Sequence, residues 1–184
     1  MNKRVRNILI IMLILIIVIG GWVFFNREED VVIEEYEPQE EISDEQLRQT
    51  IVSLYYKNKD TKELIPEGRL IDVKLLLDEP YTTLMQLLID GPKNQNLEKC
   101  IPEGTKINKI ELKKDVLNID LTKEFIENHQ GGEEEESRTI YSIVNTMTAL
   151  TEVNGIKILI DGEENMEFKD KKINFKEIFV RIDN

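Results

Sequence analysis

Apolar residues follow three patterns along the chain: one unbroken run near the N-terminus, stretches of strict alternation, and stripes with helical spacing. Alternation of apolar and polar residues predicts β-strands with one buried face. Val52, Leu54 and Tyr56 show it first, and Leu117, Ile119 and Leu121 show it again. Strands are predicted at 50–56, 63–65, 69–75, 106–112, 116–121, 156–160 and 175–182.

Two segments carry apolar stripes at helical spacing. Glu79 and Pro80 favour a helix start, and Gly91 with Pro92 favours its end. A longer helix is predicted from Glu133 to about 152, and a short helical turn at 122–128. A bulge is expected near Ile107, because Ile107 breaks the parity of Ile110 and Leu112.

The order of these elements predicts an α/β (α+β) fold. Two strands precede each of the longer helices, and each helix has one apolar stripe that covers one sheet face. We therefore expect a two-layer sandwich: a mixed, largely antiparallel sheet with both helices on one face. Residues 65–68 recur as 101–104, which is a short internal repeat.

The N-terminal apolar run predicts a transmembrane helix at 8–25. Its 18 uncharged residues would span roughly 27 Å, close to the hydrocarbon thickness of a bilayer. Lys3, Arg4 and Arg6 precede the run, and acidic residues follow it. The positive-inside rule then places the N-terminus in the cytoplasm and the rest of the chain outside. A cleaved signal peptide is the alternative, but Trp22 and its aromatic neighbours make a poor cleavage context.

The remaining chain divides into a basic stub, a linker and one domain. Residues 1–7 form the cytoplasmic stub, and 26–49 form an acidic extracytoplasmic linker with too few apolar residues to fold alone. Residues 50–184 form the domain, which is long enough for a sound core.

Composition excludes several classes of function. The 24 basic and 36 acidic residues give a net charge of −12, which repels nucleic-acid phosphates. The chain has one Cys and one His. A single Cys closes no intramolecular disulfide and builds no Cys-rich metal site. We therefore expect no nucleic-acid partner and no cofactor or metal.

Five motifs in order resemble those of the GerMN domain family. The first two resemble its "LL.GP" helix end and its "IPEGT" loop, and the third resembles a strand followed by Phe125. The last two resemble "LVNTLT" and "(V/I)LVDGE". The motifs lie at 87–92, 101–105, 116–121, 143–148 and 158–163.

The resemblance implies a fold similar to the ring-building motifs of secretion systems and a role in sporulation or spore germination. This chain departs from the family pattern in carrying one copy and a predicted membrane anchor instead of two copies and a lipid-modified Cys. The resemblance implies an extracytoplasmic assembly module with envelope proteins as partners, including self-association into a ring. A receptor for cell-wall fragments or small ligands is the alternative function.

No residue set predicts catalysis, so we expect no enzyme and no catalytic, cofactor-binding or metal-binding residue. His129 is interpreted as a solvated loop residue and Cys100 as a half-buried thiol, with an intermolecular disulfide as a minor alternative. The acidic run 133–136, with Asp120 and Glu124 nearby, has no calcium-ligand spacing.

Polar and aromatic residues near apolar stripes receive structural interpretations. Asn145 and Thr148 are expected to tie the long helix to a neighbouring strand or loop, and Asp161 with Gly162 is expected to form a turn. A receptor would need a cleft lined by aromatic residues. Its candidates are Tyr55, Tyr56, Tyr81 and Tyr141.

Overall fold

The structure is a computed structural model that describes residues 2–25 and 48–182. The described residues fall into two units, one within Met1–Glu41 and the other within Ile42–Asn184. The predicted linker, 26–49, lies outside the described residues except for its last two positions.

The first unit contains helix α1, which spans Lys3–Phe25 and so includes most of the predicted stub. No helix within 2–25 or 48–182 combines the length and the apolar character that crossing a membrane requires. This finding does not support the transmembrane helix predicted at 8–25.

The described part of the second unit, 48–182, contains two three-stranded sheets, which corrects the predicted single sheet. The first has the order β2-β1-β3, and the second has the order β4-β5-β6. Strands β5 and β6 are parallel, and the other pairs are antiparallel. The strands are β1 (Gln49–Asn58), β2 (Leu64–Asp72), β3 (Leu97–Glu98), β4 (Ile107–Lys113), β5 (Val116–Leu121) and β6 (Gly155–Ile160).

Between residues 48 and 182 four helices accompany the sheets: α2 (Val73–Asp78), α3 (Pro80–Asp90), α4 (Glu124–Glu127) and α5 (Glu133–Met147). Helices α3 and α5 contact each other and β1, while α3 also contacts β4 and α5 also contacts β6. The two helices therefore join both sheets around one apolar core. Its largest fully buried side chains include Tyr56, Phe125, Phe168, Phe175, Met85 and Leu117.

Strand β2 and helix α2 differ from the prediction at one boundary. The predicted strands at 63–65 and 69–75 are one strand that ends at Asp72. The Asp72 carboxylate accepts the Lys74 N–H at 2.8 Å and caps α2. Val73 and Leu75 alternate with Ile71 in sequence, but this cap turns the chain into a helix before the alternation ends.

Other boundaries agree with the sequence or depart from it locally. The bulge expected near Ile107 is confirmed by a register shift between Ile107 and Lys109. Helix α5 ends at Met147, earlier than predicted, and the Thr148 hydroxyl donates to the Val144 carbonyl at 2.7 Å. The strand predicted at 175–182 is wrong, because only a bridge between Ile156 and Phe179 forms there.

Candidate interaction surface

An exposed apolar face lies on the β1–β2 hairpin. Ile51 and Leu70 are cross-strand partners, and 70% and 57% of their respective surfaces are exposed. Leu75 and Leu77 of the adjoining helix α2 are also exposed. We call Ile51 and Leu70 the hairpin face. Neighbouring exposed apolar side chains on one surface are typical of protein contact sites.

The hairpin face borders an open strand edge. The N–H and C=O of Tyr55 point away from β2, because they bind hydroxyls of α5. Pro66, which has no N–H to donate, lies opposite Tyr55 in the register. In an antiparallel ladder, the backbone N–H and C=O groups of every second residue point away from the partner strand. Gly68 and Leu70 lie two and four residues after Pro66, so their backbone groups point outward from β2, away from β1. In the described sheet β2 has β1 as its one neighbour.

The edge of the second sheet is protected by charge, and the middle of the β2 edge, at Gly68 and Leu70, carries no charged side chain. Lys109, Glu111 and Lys113 lie on edge strand β4, and their side chains are mostly exposed and ion-paired. Charged side chains discourage pairing of an edge strand with another chain. At the outward-facing positions of β2, Gly68 and Leu70 form an uncharged stretch between Pro66 and Asp72. The β2 edge is therefore the more favourable place for another chain to bind.

Hydroxyl groups of α5 satisfy backbone groups of β1 and of the loop after β3. Tyr55 N–H donates to Thr146 Oγ1 at 3.0 Å, and Ser142 Oγ donates to the Tyr55 carbonyl at 2.6 Å. Thr139 Oγ1 donates to the carbonyl of Cys100 at 2.9 Å. Asn145 and Thr148 were predicted to make such ties, but Thr148 bonds within its own helix. Thr139, Ser142 and Thr146 are small hydroxyl residues at helical spacing within the apolar stripe of α5. That spacing is the sequence signal that could have identified the residues that make these ties.

A small polar cleft lies between the loop after β3 and the start of α5. Its volume is about 260 Å³. Lys57 sits in its wall, with its Nζ 2.7 Å from Glu98 Oε1 and 2.8 Å from Glu135 Oε2. The cleft also brings Cys100 and His129 together, although they are distant in sequence. Its charged groups are thus largely neutralised by one another.

His129 is half-buried and bonded, so its interpretation as a solvated loop residue is wrong. Its Nδ1 accepts the Gly131 N–H at 2.9 Å, and its Nε2 lies 2.9 Å from Thr139 Oγ1. Because Thr139 donates its own proton to Cys100, Nε2 must donate to Thr139. Burial lowers the pKa of His129, which favours this neutral form. Both ring nitrogens are engaged, which leaves neither available as a general base.

Cys100 is an intermediate-exposure thiol, in agreement with its interpretation as half-buried. Burial raises its pKa and outweighs the opposing effect of the hydrogen bond with Ser142. Because the thiolate is the nucleophile and Cys100 is held as a thiol, it is a weak candidate for covalent chemistry.

The acidic residues near the start of α5 make separate contacts. Glu135 binds Lys57 and Arg138, while Asp120 accepts the Gly162 N–H at 2.9 Å within the predicted turn. Glu136 is fully buried. Among the described residues no three His, Cys, Asp or Glu side chains converge as metal ligands.

The tyrosines do not line the cleft. Tyr56 is buried, and its hydroxyl donates to the Leu87 carbonyl at 2.6 Å. Tyr81 donates to Glu152 at 3.2 Å, and Tyr141 packs against the core. Tyr55 lies under the guanidinium of Arg181, with 5.8 Å between the carbon of that group and the ring centroid. These positions give the receptor alternative no aromatic binding cleft in the described domain.

A family model described as "Germane: Sporulation and spore germination" matches residues 53–166. The chain belongs to this family. The match covers most of the folded unit and confirms the GerMN resemblance of the five motifs. No curated protein gives a significant match to the chain.

Solved GerMN domains share the fold. The tandem GerMN domains of the sporulation protein GerM from Bacillus subtilis align with a TM-score of 0.62 and 19% identity, covering 79% of this chain and 50% of that one. The first GerMN domain of GerM alone aligns with a TM-score of 0.60 and 17% identity, covering 72% of this chain and 98% of that one. A protein described as a lipoprotein, from Clostridium perfringens, aligns with a TM-score of 0.50 and 25% identity, covering 73% of this chain and 89% of that one. This chain thus spans about half of the tandem structure and nearly all of a single GerMN domain.

Proposed function

We propose that this protein is a non-catalytic, extracytoplasmic assembly module that supports a sporulation or germination complex through protein–protein contacts. Its partners are envelope proteins, and self-association of the module is one form of the assembly. The observation that carries the proposal is the hairpin face, which joins exposed apolar side chains to an open strand edge in a GerMN domain.

Two features support contact by the hairpin face over contact elsewhere. Ile51 and Leu70 lie opposite each other, so their side chains form one continuous apolar spot. The free backbone groups of Gly68 and Leu70 can add a strand from a partner, while specificity comes from the side chains beside them. The β4 edge offers charged side chains instead.

Photo-crosslinking from position 70 should capture the partner. We expect a photoreactive amino acid in place of Leu70, in the full chain within its native host, to give a discrete covalent adduct. The same probe in place of Glu111 on the β4 edge is the matched control, and we expect it to give no such adduct.

Substitution of the hairpin face should release the partner without unfolding the domain. The double variant Ile51→Ser with Leu70→Ser should weaken recovery of the adduct partner by about tenfold or more, as expected for central contact residues. Stability should change little, because both side chains are exposed. Met166→Ser, an exposed apolar position away from the hairpin, is the control. Equal recovery by the double variant and this control would contradict the proposed surface.

We also propose that the domain lies outside the cytoplasm at the cell membrane, attached through residues 8–25 with the N-terminus inside. Support for this location comes from the charge asymmetry of the sequence: basic residues before the apolar run and acidic residues after it. Alkaline phosphatase fused after Asn184 should be active, since it folds outside the cytoplasm. A fusion lacking residues 1–25 should be inactive. A second fusion carries, after Asn184, a reporter that is active only in the cytosol. If that reporter were active and alkaline phosphatase were not, the proposed location would be refuted.

A further inference from the structure

His129 connects three segments that border the polar cleft. Its Nδ1 accepts the Gly131 N–H at 2.9 Å, which closes the loop before α5. Its Nε2 lies 2.9 Å from Thr139 Oγ1 on α5, and Thr139 donates in turn to the Cys100 carbonyl at 2.9 Å in the loop after β3. This order of donors leaves Nε2 with a proton and Nδ1 without one. All three bonds therefore require a neutral ring with its proton on Nε2.

A turn at 166–175 packs against the His129 ring. The ends of the turn meet where the Phe175 N–H donates to the Met166 carbonyl at 2.9 Å. Phe168, which is buried, lies within the turn, and its ring centroid is 4.6 Å from that of His129. Burial among such groups disfavours the charged imidazole. Burial is accordingly the largest cause that lowers the pKa of His129.

Charged groups around His129 come from several elements. The carboxylates of Asp170 in the turn and Glu135 on α5 favour the protonated ring, and Glu135 also favours it through its backbone. Lys169 opposes them. The cleft wall adds ion pairs that largely neutralise one another: Lys57 with Glu98 and Glu135, and Lys99 with Glu103. Burial outweighs the attraction of the two carboxylates, so the neutral ring is the favoured form.

We propose that His129 is a pH switch for the polar cleft: protonation of its Nδ1 releases the Gly131 N–H, loosens residues 129–132 and opens the cleft wall. A protonated Nδ1 is a donor, so it would face another donor, and the bond between them would be lost. Asn128, His129 and Gln130 all line the cleft, so loosening of this loop widens it. The cleft lining includes neither residue of the hairpin face, so the switch is separate from the proposed function.

The switch acts on the acid side, because burial lowers the pKa of His129. The neutral ring contributes stability above its unfolded pKa, about 6.5, and this contribution is lost as pH falls through the lower folded value. Two neighbouring acids act in the same direction, since Lys57 lowers the pKa of Glu98 and the Gly132 N–H lowers the pKa of Asp170. A variant that cannot ionise at position 129 is therefore needed to isolate the imidazole.

Nitrogen-15 NMR of the full chain tests the hydrogen-bond pattern. His129 is the only histidine, so its ring signals are identified at once. At neutral pH we expect Nε2 to carry the proton and Nδ1 to carry none. Acid should protonate Nδ1 and shift the Gly131 amide signal with the same midpoint, below about 6.5. A ring protonated on Nδ1 at neutral pH, or a Gly131 amide that does not follow the ring, would overturn the proposal.

Cys100 reports on the opening of the cleft, because it lines the cleft and is the only cysteine of the chain. Its rate of reaction with dithiodipyridine is divided at each pH by the rate for glutathione, which removes the shared effect of thiol ionisation. We expect this ratio to rise about tenfold as pH falls through the His129 midpoint, within the usual range for coupling between two sites. A ratio that does not change with pH would contradict the switch.

His129→Gln is the decisive variant, because its amide carries an acceptor for Gly131 and a donor for Thr139 but cannot ionise. We expect its Cys100 ratio to be independent of pH, and a rise in acid equal to that of the wild type would overturn the proposal. Gln130→Ala, at an exposed position of the same cleft, is the matched control and should keep the wild-type rise. If His129→Gln fails to fold, the wild-type NMR titration and Cys100 ratio decide alone.

Discussion

Replacing Glu67 with alanine is expected to lower the free energy of unfolding by about 3–5 kcal/mol. Glu67 accepts from Arg69 through Nε, at 3.2 Å, and through Nη2. It also accepts the backbone N–H groups of Lys93 and Asn94, at 3.0 and 2.9 Å. Arg69 is itself buried, so the substitution would leave an unpaired charge in the interior and two loop N–H groups without their acceptor.

The Glu67–Arg69 pair also fixes the chain after α3. Arg69 Nη2 donates to the Gly91 carbonyl at 3.3 Å, and Glu67 binds the next loop residues. Glu67→Gln keeps the shape and some acceptors but removes the charge, so its loss should be smaller. The double variant Glu67→Ala with Arg69→Ala should lose less than the sum of the single variants, because no charge stays unpaired. Urea unfolding of the full chain compares the wild type with Glu67→Ala, Glu67→Gln, Arg69→Ala and the double variant.

The same Glu67–Arg69 pair predicts that the stability of the domain depends on pH in the acidic range. Burial alone would raise the pKa of Glu67, but the hydrogen bonds from Arg69, Asn94 and Lys93 outweigh it and lower the pKa. Its contribution is therefore present above the unfolded value, about 4.3, and is lost as pH falls through the folded value. The stability difference between wild type and Glu67→Gln should shrink on that acid side. A difference below about 1 kcal/mol at neutral pH would show that the pair is worth no more than a surface ion pair.

The elements that the sequence predicts correctly are those with one strictly buried face. In β5, Leu117, Ile119 and Leu121 are all buried and the residues between them are not, so alternation translates directly into a strand. Helix α3 has Pro80 at its start and Gly91, with a φ of +96°, at its end. Such local signals need no knowledge of the rest of the fold.

The features that the sequence misses depend on contacts between distant residues. The division into two sheets depends on which strands meet, and the spacing of apolar residues carries no such information. Ser142 and Tyr55 are 87 positions apart, yet their hydrogen bond settles how α5 lies on β1. His129 was expected in solvent because its neighbours are polar and glycine-rich. Its burial comes from Phe168 and Thr139, which reach it only after folding.

Phe168→Ala is expected to cost about 3–5 kcal/mol of stability, the usual range for removing a buried phenylalanine. Only 1% of its surface is exposed. Its ring centroid lies 5.6 Å from that of Phe125 and 5.1 Å from that of Phe175, in an edge-on arrangement with the latter. The substitution removes these ring contacts together with the buried area, so thermal and urea unfolding should both shift strongly.

This prediction also tests how far the domain extends. The family match ends at residue 166, yet Phe168 and Phe175 are buried in the core beyond that point. Val180→Ala is the matched control from the same C-terminal segment, because that side chain is 53% exposed and should change stability by no more than about 0.5 kcal/mol. If Phe168→Ala were as mild as Val180→Ala, the 166–175 turn would contribute nothing to the core. The unit that folds would then end near the last residue of the family match.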